Sequence, residues 1–383
     1  MTLGPEDNRT SPAEALSRNS MQAKAQPNLV ERLSPSLFWN TDESIELTAD
    51  VFCSTTNCPI GAYRFGAALF DRATGDRIDS KELASDLIVL FNPWSDKDSV
   101  YMADDTWRNE CVLQTNGIIW RGSATNMTAH SWHYDQFSQN AIAIMSELLG
   151  ALSRPNRSKP TSVARNLSWF CNANSGVLIV GKWGAPYAGG KTPTQWKGSG
   201  EIFDEYASTR SPVRYGQCWV FAGVLTSLGR TAGIPSRPVT NYDSGHDANG
   251  NKSIDYYFDQ TGCPVRSISD SIWNYHVWTE MWMSRPDVDE TFDWQIVDAT
   301  PQELSGGKYQ CGPASRRAVK TDQGGIYDVD FVFSEVSAPV RLLHENTSGS
   351  YEVTRTLTGQ TGKHISTKQM GSSFRLDLTS EYK

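Results

Sequence analysis

The chain has 383 residues and a formal net charge of −8, from 43 acidic and 35 basic side chains. Its 38% hydrophobic and 20% charged content suits a folded globular protein and excludes a disordered, collagen-like or coiled-coil chain. No basic run offers nucleic acid or an anionic membrane surface a footprint, and no stretch approaches the ~18 apolar residues of a membrane span. The seven cysteines are odd in number, widely spaced and without a CxxC pair. That pattern argues against a disulfide scaffold or structural zinc and fits a reducing compartment. The opening MTLGPEDNRTSPAEALSRNS has no apolar signal-like segment, so the expected location is cytoplasmic. The 13 tryptophans exceed what this length needs for packing alone.

Residues 1–30 are polar and without period, and are expected to be a flexible tail. From 31 to 100 the runs SIELTADVF, GAYRFGAALFD and DLIVLFNPW alternate like strands, separated by the turn segments NCPIG and RATGD. Too few strands fit there for a whole sandwich, so a partial β-sandwich is expected. Residues 101–383 mix helix and strand signals, an α+β pattern. SQNAIAIMSELLGAL carries a helical apolar stripe, and EIFDEYAS is a short helix. YGQCWVFAGVLTSLGRTAG predicts a buried helix through Trp219, Phe221, Ala222, Leu225 and Leu228, stopped at Gly233 with Pro235 beyond. Strands are expected at SRPVTNYDS, WNYHVWTEMWM and DWQIVDATP, and again at FVFSEVSAPVRLLHE, ISTKQM and SFRLDL.

Three residues form a constellation. Cys218 falls at the start of the predicted buried helix, where unpaired amides and the helix dipole favour a thiolate and can hold an oxyanion. His276 follows in one strand and Asp298 in the next, with Trp294, Ile296 and Asp298 on one face by the two-residue period. Adjacent strands would set His276 between thiol and carboxylate, as nucleophilic catalysis requires. Each residue alone has an ordinary explanation: a packed cysteine, a structural histidine, a turn aspartate.

The runs carrying these residues resemble those of animal-type transglutaminases. Tyr215-Gly216-Gln217-Cys218-Trp219 is similar to their nucleophile motif, Trp273-Asn274-Tyr275-His276-Val277-Trp278 to their histidine motif, and Trp294 through Glu303 to their aspartate motif. LFNPW, GIPSRPVTNY and CGPAS follow in family order. The resemblance implies a papain-like transglutaminase core preceded by a partial immunoglobulin-like β-sandwich. It implies a calcium-dependent protein-glutamine gamma-glutamyltransferase. Glutamine-containing proteins would be acyl donors, and lysine-containing proteins or polyamines acceptors. Cys218 would be the nucleophile, His276 the base and Asp298 its orienting partner. The Cys218 N–H and the Trp183 indole would hold the oxyanion, and Trp273, with Trp278 as a weaker match, would wall an amine channel. Two alternatives stay open: a catalytically inactive structural protein of the same fold, and a cysteine protease. Family members also carry two C-terminal β-barrels for which this chain has no length.

Hard oxygen donors recur at Asp247, Asn249, Asn251 and Ser253, with Asp270 beyond. By itself such a loop is a surface turn, and it is not an EF-hand. The resemblance matches these five residues to a calcium loop, with Asn249 where acidic relatives have Asp. Two further family calcium sites, around Asn172–Gly176 and after Phe331–Ser337, lack expected acidic ligands.

Overall fold

The computed structural model describes residues 21–23, 33–39, 45–51, 58–64, 66–71, 74–82, 86–265 and 270–383. The chain divides into two compact units, residues 1–89 and 90–383. In the first unit, short strands pair antiparallel. Gly66–Asp71 lies between Met21–Ala23 and Arg77–Glu82, Leu33–Trp39 pairs with Ile45–Val51, and Gly61–Tyr63 with Leu87–Val89. Most of the expected tail, 1–20 and 24–30, lies outside the described residues, while Met21–Ala23 is strand. Cys58 is disulfide-bonded, against the expectation of a reducing compartment, while Cys111, Cys171, Cys218, Cys263 and Cys311 are free.

The second unit is built on a six-stranded, wholly antiparallel sheet. Its order is Cys311–Ser315, Glu290–Asp298, Ser271–Arg285, Ser236–His246, His364–Lys368 and Arg375–Asp377. The two longest strands, Ser236–His246 and Ser271–Arg285, sit at its centre and are nearly continuously apolar or buried, as strands covered on both faces must be. One face carries the helix Cys218–Thr231, with Pro160–Cys171 and Gln139–Gly150 packed against it and Gly200–Thr209 against Gln139–Gly150. The other face carries Arg316–Thr321, Val329–Ser337 and Thr379–Tyr382. Between them Val239, Trp278, Ile296, Val332, Ile365 and Tyr382 form one buried cluster.

The Cys218 helix ends as its sequence predicts. Gly233 takes a positive φ of 86°, which only glycine adopts without cost, and its Cα lies so near the Phe91 carbonyl that a Cβ would sit 2.1 Å from the oxygen. Pro235 then prevents any resumption of the helix. All fourteen residues of the helix are buried, not only the expected apolar stripe.

One expectation is overturned. FVFSEVS is not strand: Val329–Ser337 is helix, and the strand begins at Val340. Its buried valines, Val329, Val332 and Val336, are spaced by three and four, the helical period. The alternation of Phe and Val simulated a strand because β-branched and aromatic residues favour both buried states. Pro339 holds Ala338 extended and closes the helix.

Candidate active site

Gln217 is extended, and the helix proper starts at Cys218. The amides of Val220 and Phe221 both bond to the Gln217 carbonyl, at 2.8 and 3.1 Å, so the amides of Cys218 and Trp219 have no partner inside the helix. Cys218 is buried, with its thiol at the positive end of a fully enclosed helix. The Gln217 side chain reaches away from the helix and donates to the Lys182 carbonyl at 3.0 Å and to the Tyr187 hydroxyl at 3.3 Å. It thereby ties the Trp183 segment to the turn before Cys218.

The His276 strand and the Asp298 strand are neighbours, with Thr279 opposite Val297. His276 is wholly enclosed, and its Nε2–H donates to Asp298 Oδ2 at 2.7 Å. Its Nδ1 is buried without a hydrogen-bond partner. Burial depresses the imidazole's proton affinity. The Asp298 charge and hydrogen bond, the Cys218 thiol and the Glu335 charge outweigh it and hold the pKa well above the ordinary histidine value. Asp298 Oδ1 accepts from the Thr300 amide at 2.9 Å, which fixes the carboxylate plane.

A second carboxylate stands beside this pair. Glu335, on the helix Val329–Ser337, is buried with Oε1 3.6 Å from His276 Nε2. Gln302 Nε2 donates to Asp298 Oδ2 and to Glu335 Oε1, both at 3.0 Å, and so bridges the two acids. Glu335 Oε2 is buried with no partner. Burial, with the Asp298 charge, pushes the Glu335 carboxyl up to about 7 against the pull of His276 and Gln302. His276, Asp298 and Glu335 bring three ligand-type atoms within 4.8 Å of one another. Within that cluster His276 and Gln302 satisfy Asp298 Oδ2, and Gln302 satisfies Glu335 Oε1.

The tryptophans fall into different settings. Trp183 is 47% exposed, stacked on Phe221 of the Cys218 helix with centroids 6.5 Å apart and planes at 17°. It rests over Gly181, where a Cβ would come within 2.7 Å of its ring, so the glycine makes room for the indole. Trp273 stands edge-on to His276 at 5.3 Å and flat against His246 at 5.5 Å. Trp278 is fully buried, bonded through Nε1 to the Tyr382 hydroxyl at 3.2 Å. It belongs to the core and not to an open channel wall.

Asp247, Asn249, Asn251 and Ser253 lie on one turn, with Asp270 beside it. Their oxygens are engaged internally. Asp247 accepts from the Gly250 and Lys252 amides at 2.8 and 2.7 Å and from Ser334 Oγ at 3.0 Å, and Asp270 accepts from the Ala248 and Asp255 amides at 3.0 and 2.9 Å. Burial, joined by the Asp247 and Asp255 charges, raises the Asp270 carboxyl. The donor set, two carboxylates, two amides and a hydroxyl, is hard oxygen throughout and fits calcium, and the crowded negative charge would be relieved by a dication. The Asn172 loop is different: Asn172 is buried and spends its side chain on the Tyr309 carbonyl at 2.9 Å and the Ser175 amide at 3.2 Å.

Residues 192–299 match the family model of the transglutaminase-like superfamily. Protein-glutamine gamma-glutamyltransferase E from Bos taurus is 41% identical over 347 residues, covering 86% of this chain and 49% of its own length. Protein-glutamine gamma-glutamyltransferase 2 from Gallus gallus is 39% identical, covering 86% and 49%. The crystal structure of red sea bream transglutaminase superimposes with a TM-score of 0.79 at 33% identity, over 94% of this chain and 55% of its own. Residues 192–299 are a transglutaminase-like superfamily domain. The chain spans about half the length of the curated relatives it matches. Its fold is the α+β fold of transglutaminases, and no helix among the described residues is long and apolar enough to cross a membrane.

Within this transglutaminase-like core, the sequence left Glu335, Gln302 and His246 without roles. Gln302 sat inside a quoted motif, and His246 bonds its Oε1 through Nδ1 at 3.1 Å. Glu335 had one signal, a lone acid in an apolar run, but the strand assignment hid the face on which it lies.

Proposed function

We propose that the chain catalyses protein-glutamine gamma-glutamyl transfer. The observation that carries this is a buried imidazole anchored by Asp298 at one nitrogen and open at the other, beside a cysteine at a helix N-terminus. Cys218 Sγ attacks the carboxamide carbon of a protein glutamine. The oxygen gains charge, held by the Cys218 N–H and the Trp183 indole N–H. The C–N bond breaks, and ammonia leaves with the proton that His276 held. A γ-glutamyl thioester remains. A lysine or polyamine amine attacks it, His276 takes the amine's proton, and the sulfur departs as thiolate, leaving an isopeptide bond. Trp183 and Trp273 line this centre with apolar surface, which disfavours water as the acceptor. The names of the relatives support transferase chemistry over proteolysis, and the intact Cys218, His276 and Asp298 support it over an inactive structural protein.

Calcium is the implied cofactor. Asp247, Asn249, Asn251, Ser253 and Asp270 would hold it, supplying a charge that reorders the loop between the two central strands. The test is incorporation of a labelled primary amine, the acyl acceptor, into a glutamine-rich donor protein, with calcium and with chelator, beside a peptide-hydrolysis assay. Incorporation lost in Cys218→Ala supports the reading. Equal incorporation by that variant, or peptide hydrolysis alone, refutes it. Unchanged incorporation after chelation, with no calcium-dependent shift in thermal midpoint, refutes only the calcium part.

A further inference from the structure

Arg121 stands outside every contact used so far. It lies on the strand Asn116–Ser123, and its guanidinium carbon sits 4.8 Å over the Trp219 ring. Trp219 follows Cys218 directly, and its ring packs 6.2 Å from that of Tyr275, the residue before His276. The guanidinium is therefore held where the nucleophile helix meets the histidine strand.

This cation lacks an anion. Among the described residues no carboxylate lies within ion-pair distance of Arg121, whereas Arg165, Arg237, Arg285, Arg316 and Arg341 each have one. Arg121 Nε is buried with no hydrogen-bond partner. Its Nη2 donates to His130 Nδ1, but that ring is not a counter-charge. Burial, with the charges of Arg121 and Lys197, holds His130 below its usual range, so it accepts as a neutral ring. Tyr275 offers no anion either, because burial and the nearby Cys218 drive its phenol up. Burial disfavours the Arg121 charge, and Tyr275 and Cys218 are the groups that act to restore it. With the phenol neutral, a negative charge formed on Cys218, the residue before Trp219, would be the one to meet it.

We propose that Arg121 is the second cation of the nucleophile centre, sharing with His276 the stabilisation of a Cys218 thiolate in the resting protein. The inference rests on the reading of Cys218 as nucleophile. A fixed positive charge near a thiol raises its thiolate fraction, and the arrangement costs nothing in side-chain entropy because Trp219 and His130 already hold the guanidinium. Arg121 acts on the sulfur by charge and position and takes no proton itself.

The test is the pH profile of Cys218 alkylation by neutral iodoacetamide, read on the Cys218 peptide by mass spectrometry so that exposed Cys263 does not interfere. Arg121→Gln should need roughly one pH unit more for half-maximal rate, about a tenfold loss of thiolate at neutral pH. Arg121→Lys should keep most of the reactivity. Arg121→Met retains a stem over Trp219 without charge and should match Arg121→Gln. Negatively charged iodoacetate reads the same charge directly, since its rate relative to iodoacetamide should fall in both neutral variants. Buried Cys111 and Cys171 report unfolding in the same digest, and if Arg121→Gln opens, Arg121→Met decides. Neutral variants with the wild-type profile overturn the proposal, as does Arg121→Lys shifted as far as Arg121→Gln. A wild-type Cys218 no more reactive at neutral pH than Cys263 overturns both this proposal and the nucleophile reading beneath it.

Discussion

Replacing Asp298 by asparagine removes one charge and almost no volume from the centre of the site. The carboxylate now faces three donors: His276 Nε2–H at 2.7 Å, Gln302 Nε2–H at 3.0 Å and the Thr300 amide at 2.9 Å. A carboxamide has one oxygen for them. If that oxygen stays with Thr300, the NH2 meets His276 Nε2, which must then accept, and the proton moves to Nδ1, the nitrogen that should receive the thiol proton. If the amide turns over, Thr300 faces a donor and the imidazolium still loses its counter-ion. Either outcome removes a charge-assisted bond in a buried setting. We expect kcat/KM for amine incorporation to fall by ~10³, about 4 kcal/mol of transition-state stabilisation. Glu335 limits the loss. Its Oε1 is 3.6 Å from the same nitrogen, and the Asp298 charge is one cause of its raised pKa, so it ionises more readily in the variant. The defect should therefore shrink as pH rises from about 6 to about 9, and Asp298→Asn with Glu335→Gln should lose roughly a further tenfold and that pH trend. Asp298→Asn activity within threefold of wild type (roughly 0.7 kcal/mol), or a double variant no worse than the single, would refute this reasoning.

Glu335 also couples the fold to pH. Its folded pKa of about 7 exceeds the ordinary 4.5, so the native state binds this proton more tightly than the unfolded chain. The stabilisation is complete below the unfolded value and is lost as pH rises through the folded one. Glu335→Gln should flatten that decline. Urea midpoints at about pH 5 and about pH 7.5 check it, and a wild type that gains stability relative to the variant across this window contradicts the sign. Gly233→Ala meets both a positive φ of 86° and the Phe91 oxygen at 2.1 Å. A loss of about 2–4 kcal/mol is expected, measured by urea unfolding, and a loss under about 0.5 kcal/mol would mean that the chain relaxes freely there.

Much of this site was legible because its chemistry sits in contiguous runs. Cys218 precedes an unbroken apolar stretch that could only be a buried helix, and His276 and Asp298 each lie on a strand whose two-residue alternation fixes their facing. Sequence spacing cannot supply partners from distant elements. Glu335 reaches His276 from a helix 59 positions further on, and the same apolar run that buries it imitates a strand. Arg121 drew no notice because its importance lies in the carboxylate it lacks, and a missing partner leaves no trace in a motif. Trp183 was placed by resemblance alone, since nothing in a glycine-rich segment predicts which indole will rest over Gly181. Trp278 shows the reverse error: a motif position beside the histidine turned out to be core.

The complete burial of Cys218–Thr231 has a consequence for motion. An element enclosed on every side has no local opening available, so its backbone amides can exchange with solvent only when the surrounding unit opens as a whole. Cys218 is thus mounted on what should be among the most slowly exchanging segments of the described residues. By contrast Trp183, half-exposed, lies on the segment that Gln217 tethers to the turn before Cys218 by two bonds. Exchange at the Trp183 indole-bearing segment should therefore run ahead of exchange along Cys218–Thr231.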